Sequence, residues 1–136
     1  MKGPEISFAA GRRIYGMTRI LVVNDDAVIL NAVSTYLKYC GYDVLTAADG
    51  LEGVQLFRSC PDLIDVVVTD LQMPQMTGNE AALQIWATRP DMKMICMTGY
   101  AEAACPFGVT MLQKPFRLKA LRVAVRKALD PTVGSY

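Results

Sequence analysis

At 136 residues, 52% hydrophobic and 20% charged, the chain is sized for one domain that buries roughly 70% of the surface its unfolded form would expose. Its net charge of +1 is neither the basic excess of a nucleic-acid binder nor the acidic bias of a disordered chain. The absence of histidine excludes a His-containing zinc site and any Ser-His or Cys-His catalytic pair built from this chain alone.

The first sixteen residues hold Lys2, Glu5, Arg12 and Arg13 but no apolar leader core. No later run has bilayer-spanning length, so a cytoplasmic protein with no membrane contact is expected. Met17 stands just before the first strand-like run, and residues 1–17 are set outside the fold as an upstream start or a short arm.

Ile20 to Val23 then reads as a strand buried on both faces. A stripe of helical period follows, carried by Ile29, Val33, Tyr36, Leu37 and Cys40, and Gly41-Tyr42 ends it. Asp43 to Ala47 is a less apolar strand, placed nearer a sheet edge. Asp49-Gly50 turns the chain into a short helix through Phe57. Val66 to Val68, Met94 to Met97 and Val109 to Leu112 are further apolar strands, and Leu118, Leu121, Val125, Ala128 and Leu129 form the last helical stripe. Strand and helix thus alternate, which predicts a doubly wound α/β fold: a five-stranded parallel sheet with helices on both faces.

In such folds the active groups gather beyond the carboxyl ends of the strands. Asn24, Asp25 and Asp26 follow the first strand, Asp70 the third, Thr98 the fourth and Lys114 the fifth. Three carboxylates converging from two strand ends stay ionised together only if a cation neutralises them, and all-oxygen ligands point to magnesium. Phosphoryl transfer asks mainly for positioning and charge neutralisation. Asp70 is the candidate nucleophile, with the Thr98 hydroxyl and the Lys114 ammonium each able to donate to a phosphoryl oxygen. Singly, each residue has an ordinary structural reading: Asp25 and Asp26 suit a helix N-terminus, and Thr98 and Lys114 are common surface types. The strand-end positions together carry the chemistry.

Val-Val-Asn-Asp-Asp at 22–26, Asp-Leu-Gln-Met-Pro at 70–74 with Gly78, Thr98-Gly99 and Lys114-Pro115-Phe116 resemble the response-regulator receiver family of two-component signalling, over about residues 18–130. The resemblance implies a flavodoxin-like, CheY-like strand order 2-1-3-4-5 and Asp70 as phosphoacceptor. It implies Asp25, Asp70 and the Gln72 carbonyl as metal ligands, with Asp26 and Asn24 as candidates through water. Magnesium is the implied ion, with manganese able to substitute. Thr98 becomes the switch hydroxyl, Lys114 the phosphate partner, and the Lys114-Pro115 bond is expected to be cis. The phosphoryl donor would be a sensor histidine kinase or a histidine phosphotransfer protein. Output would run through contact with a downstream protein, with no direct nucleic-acid binding.

Several positions depart from the family pattern. Asn24 stands where an acid is usual, which removes a charge from the metal site. Met111 stands where the switch aromatic is usual, and methionine is a flexible filler. Thr98 and Lys114 are 16 positions apart, shorter than usual, with Pro106 and Gly108 between them. A fourth helix is therefore expected to be short or missing, replaced by a loop or single turn from about Tyr100 to Gly108. In the family, phosphoryl lifetime is tuned at the positions of Gln72 and Tyr100.

Residues 131–136 read as a tail, so no output domain is expected after the receiver. The whole would be a single-domain relay or a receiver taken from a longer hybrid kinase. A phosphoacceptor of this kind is not an enzyme in the ordinary sense, although it can catalyse its own phosphorylation and dephosphorylation. The main alternative, favoured by Asn24 and Met111, is a degenerate receiver that binds its partner without being phosphorylated. An aspartate-nucleophile phosphatase would want an acid at Gln72, and a flavin binder would want a Ser-, Thr- or Gly-rich loop where this chain has Asn24-Asp25-Asp26. The four cysteines show no C-x-x-C spacing and read as reduced and structural, while the basic residues Arg122, Arg126 and Lys127 read as a solvated helix face.

Overall fold

The computed structural model describes residues 8–9, 12–13, 18–73, 76–99 and 110–129. Five strands form one parallel sheet: β1 (Arg19–Val23), β2 (Asp43–Ala47), β3 (Val66–Asp70), β4 (Lys93–Thr98) and β5 (Thr110–Gln113), in the order β2-β1-β3-β4-β5. Among the described residues four α-helices alternate with them: α1 (Ala27–Tyr39), α2 (Gly50–Ser59), α3 (Gly78–Thr88) and α4 (Leu118–Leu129). The expected order and the edge position of Asp43 to Ala47 are both found. The expected loop between Thr98 and Lys114, and with it the short or missing helix, falls at 100–109, outside the described residues. Ahead of the sheet, Phe8–Ala9 and Arg12–Arg13 pair antiparallel, a ladder within the segment that the sequence reading set aside.

Alternate side chains of the sheet feed two cores, because successive residues of a strand point to opposite faces. Leu21, Val23, Val67 and Met94 pack with Val54 and Phe57 of α2 and with Ala82 and Ile85 of α3. Ile20, Val22, Val66, Val68, Ile95 and Met97 pack with Val33 and Leu37 of α1 and with Leu121 and Val125 of α4. All five residues of β3 are buried, as expected of the middle strand covered on both faces. The methionines Met94 and Met97 and the thiol of Cys96 are core residues of β4. Trp86 is half-buried on α3, with its indole N–H donating to the Met92 carbonyl at 2.8 Å. Arg122, Arg126 and Lys127 lie exposed on α4.

Local signals place the helix ends. Gly41 has φ of 101°, and its N–H donates to the Lys38 carbonyl while that of Tyr42 donates to the Leu37 carbonyl. This paired closure requires a left-handed residue at the position that glycine fills most cheaply. The Asp49 carboxylate accepts from the Glu52 N–H at 2.8 Å to start α2. Thr77 and Glu80 start α3 with a reciprocal pair of bonds, Glu80 N–H to Thr77 Oγ1 at 3.1 Å and Thr77 N–H to Glu80 Oε1 at 2.8 Å. Arg89, just past α3, donates from Nη1 to the carbonyls of Pro61 and Ile64 at 2.9 and 2.7 Å. This ties the far end of the sheet and leaves the carboxyl end to the site.

Candidate phosphoacceptor site

Sheet register assembles the site. Val23 pairs with Thr69, Asp70 with Met97, and Thr98 with Gln113. The next residue along β1 is therefore Asn24, carried alongside Asp70, and the next along β5 is Lys114, carried alongside the end of β4.

Asp70 is the last residue of β3 and only 2% exposed. A carboxylate so far out of water needs a charged or donating partner at each oxygen. The Lys114 ammonium sits 3.0 Å from Oδ2, and the Gln72 backbone N–H donates to Oδ1 at 3.2 Å. The Lys114-Pro115 peptide is cis, as the resemblance implied. Thr98 is 1% exposed and ends β4. Its Oγ1 accepts from Gln72 Nε2 at 3.1 Å, and Gln72 Oε1 in turn accepts the Gly99 N–H at 3.2 Å.

The residues after β1 separate into three roles. Asn24 is fully buried, and its Oδ1 accepts the Asp26 N–H at 2.8 Å. Its Nδ2 has no hydrogen-bond partner among the described residues. Asp25 is exposed at the strand end. Asp26 is the N-cap of α1, its Oδ1 accepting from the N–H groups of Val28 and Ile29 at 2.9 and 3.2 Å. This corrects the expectation of three converging carboxylates. Oδ1 of Asp26 is engaged by the orphan donors of the helix start, where an anion is also favoured by the helix dipole. Among the described residues no group of three or more His, Cys, Asp or Glu side chains is arranged to hold a metal.

The oxygen donors Asp25, Asp70 and the Gln72 carbonyl fit a hard cation that keeps several waters, as magnesium does. The unpartnered buried Nδ2 of Asn24 fits a hydrogen bond to such a water, a role an amide can fill without adding charge. Met111, in place of the usual aromatic, is half-buried in β5 and pairs in register with Cys96. Gly78 begins α3. Tyr100 lies outside the described residues. The Gln72 carboxamide is a contact that sequence reasoning missed. Its advance signals were the family's tuning of phosphoryl lifetime at this position and a side chain with both a donor and an acceptor two residues after Asp70.

A parallel α/β sheet with a buried aspartate, a lysine and a threonine at neighbouring strand ends defines a class of phosphoacceptor signalling folds. Residues 20–126 match the response regulator receiver domain family, and the chain belongs to that family. It is similar to the sensor kinase CckA of Brucella abortus, 36% identical in an alignment of 121 residues that covers 83% of this chain and 12% of that kinase. The chain spans 16–51% of the curated response regulators it matches at similar identity. Among solved structures, a receiver domain protein from Clostridium thermocellum superposes with a TM-score of 0.79 at 31% identity, covering 85% of this chain and 97% of the other. The response regulator TrrA of Thermotoga maritima, in complex with magnesium and BeF, gives a TM-score of 0.76 at 32% identity, covering 83% and 100%. No described helix is long and apolar enough to cross a membrane.

Proposed function

We propose that this receiver accepts a phosphoryl group on Asp70 from a phosphohistidine of a sensor histidine kinase or phosphotransfer protein, and signals by protein contact. The supporting observation is the buried Asp70 carboxylate, held between the Lys114 ammonium at 3.0 Å and the Gln72 N–H at 3.2 Å. An Asp70 oxygen attacks phosphorus as the phosphorus–nitrogen bond breaks, and the departing imidazole keeps the electron pair. Lys114 balances the charge of the carboxylate before transfer and of a phosphoryl oxygen after it. Thr98 stands at the neighbouring strand end, where a hydroxyl donor to a second oxygen is needed. Asp25, Asp70 and the Gln72 carbonyl would hold magnesium, which when bound supplies neutralisation of the transferring oxygens. Asn24 would orient a water in that shell through Nδ2. The reaction is a stoichiometric modification of the protein rather than turnover of a metabolite.

The test is intact mass after incubation with a small-molecule phosphodonor, with and without magnesium, for the wild type and Asp70→Asn. A magnesium-dependent adduct of one phosphoryl group, absent from the variant, is expected. A second reading, phosphorylation-independent partner binding, is favoured by Asn24 and by the turning of Asp26 into the helix cap. It becomes the better one if no adduct forms at high magnesium.

A further inference from the structure

Charge is spread unevenly over the two faces of the sheet. Neither α1 nor α4 contains an acidic residue, while together they carry Lys38, Lys119, Arg122, Arg126 and Lys127. The whole chain has a net charge of +1, so what lies outside these two helices is net acidic. All of these cations are exposed, and none is in an ion pair among the described residues.

Two tyrosines show how the helices sit side by side. The Tyr36 hydroxyl lies near the Arg122 guanidinium, and the Tyr42 hydroxyl, just past α1, lies near Arg126 and Arg122. On α1, Ala32, Thr35, Tyr36 and Tyr39 fall at i, i+3, i+4 and i+7, and on α4 Lys119, Arg122, Val123 and Arg126 do the same. Each set is therefore one stripe along its helix, and the neighbours Tyr36 and Arg122 join the two stripes into one surface. Tyr39 is 87% exposed and Val123 43%, so large apolar groups stand in water among the cations. A face that is only solvated has no use for them, whereas tyrosine and arginine around an apolar centre make up the energetic core of protein contacts. Both helices follow the carboxyl ends of strands and run back toward the amino end of the sheet. Tyr39, the last residue of α1, and Arg126, in the last turn of α4, thus lie at the end away from Asp70.

We propose that this α1–α4 face is a docking surface for an acidic amphipathic helix of a partner protein, its carboxylates meeting Lys119, Arg122 and Arg126 and its apolar residues meeting Tyr39 and Val123. Charge selects the occupant. A second copy meeting this face about a two-fold axis would set cations against cations. A nucleic-acid backbone would pair with the cations and leave the apolar groups without a partner. An acidic helix answers both, and the groove between two side-by-side helices is a shape that accepts a third. Docking there leaves the strand ends around Asp70 open, so the proposal does not rest on the phosphoacceptor reading.

The test is a fluorescence anisotropy titration of the full chain against a labelled synthetic helical peptide that carries Glu at i, i+3 and i+7 with Leu at i+4, and against a peptide of the same composition with that stripe scrambled. The wild type is expected to bind the striped peptide at least about 5-fold tighter than the scrambled one. Arg126→Glu turns an attraction into a repulsion and is expected to weaken binding at least about 5-fold. Tyr39→Ala is expected to do the same through lost apolar contact. Arg58→Glu makes the same change of net charge at an exposed position of α2, on the other face of the sheet, and is expected to shift affinity by less than about 2-fold. Asp70→Asn is expected to leave binding unchanged. No binding by the wild type, equal losses from Arg126→Glu and Arg58→Glu, or no loss from Tyr39→Ala would each overturn the proposal. Duplex DNA bound as tightly as the striped peptide, or self-association in sedimentation that Arg126→Glu abolishes, would assign the face to a nucleic acid or to a second copy instead.

Discussion

Replacing Asn24 by Asp tests the metal reading through stability rather than activity. Asn24 is fully buried, keeps one hydrogen bond to the Asp26 N–H at 2.8 Å, and leaves Nδ2 without a partner. The substitution would preserve the first bond and turn the unpartnered donor into a carboxylate oxygen. Neighbouring strands lie about 5 Å apart, so the new charge would face Asp70, whose ammonium partner at 3.0 Å is already engaged. At an effective dielectric of about 20, two like charges at about 5 Å repel by roughly 3 kcal/mol. Removing an unsatisfied donor returns about 1 kcal/mol. Without divalent ions Asn24→Asp is therefore expected to be about 2 kcal/mol less stable than the wild type. An added acid tightens cation binding, and each tenfold gain in affinity contributes about 1.4 kcal/mol at saturation. Urea denaturation in a chelator and in millimolar magnesium, at matched ionic strength, measures both effects. The gap is expected to narrow by a kcal/mol or more in magnesium. Equal stabilisation of the two proteins by magnesium would show that Asn24 does not border a cation site.

Two further outcomes test the scaffold around the site. A Cβ at Gly53 would lie 2.8 Å from Val23 Cγ2, in the core directly beneath Asn24, so overpacking of about 1–3 kcal/mol outweighs a helix-propensity gain of about 1 kcal/mol. Gly53→Ala is expected to lower the urea midpoint. Tyr42 has its pKa raised above the ordinary 10.0, first by burial and then by the nearby Cys40, against the opposing charges of Arg126 and Arg122. The folded state thus holds the phenolic proton longer than the unfolded chain, so this contribution to stability is full below pH 10 and is lost as pH rises through the folded value. Tyr42→Phe is expected to flatten the alkaline fall in stability, measured by denaturation on either side of that pH.

The sheet, its order of elements and the strand-end aspartate, threonine and lysine were legible in the chain because they rest on local signals. Val66 to Val68 has nowhere to go but a doubly covered strand, and Asp70 ends it. Gly41 closes α1 through a φ that few other residues adopt cheaply. What Asp26 does was not legible, since a carboxylate after a strand suits a helix cap and a metal site equally, and the choice depends on where its oxygens point once α1 starts. The contacts of the Gln72 side chain were hidden for a different reason. Its partners are Thr98 and Gly99, 26 and 27 residues away, and Lys114 reaches Asp70 across 44. Local sequence determines which backbone each of these residues adopts, but the hydrogen bonds between them exist only after the register of β1, β3, β4 and β5 has brought separate strand ends side by side.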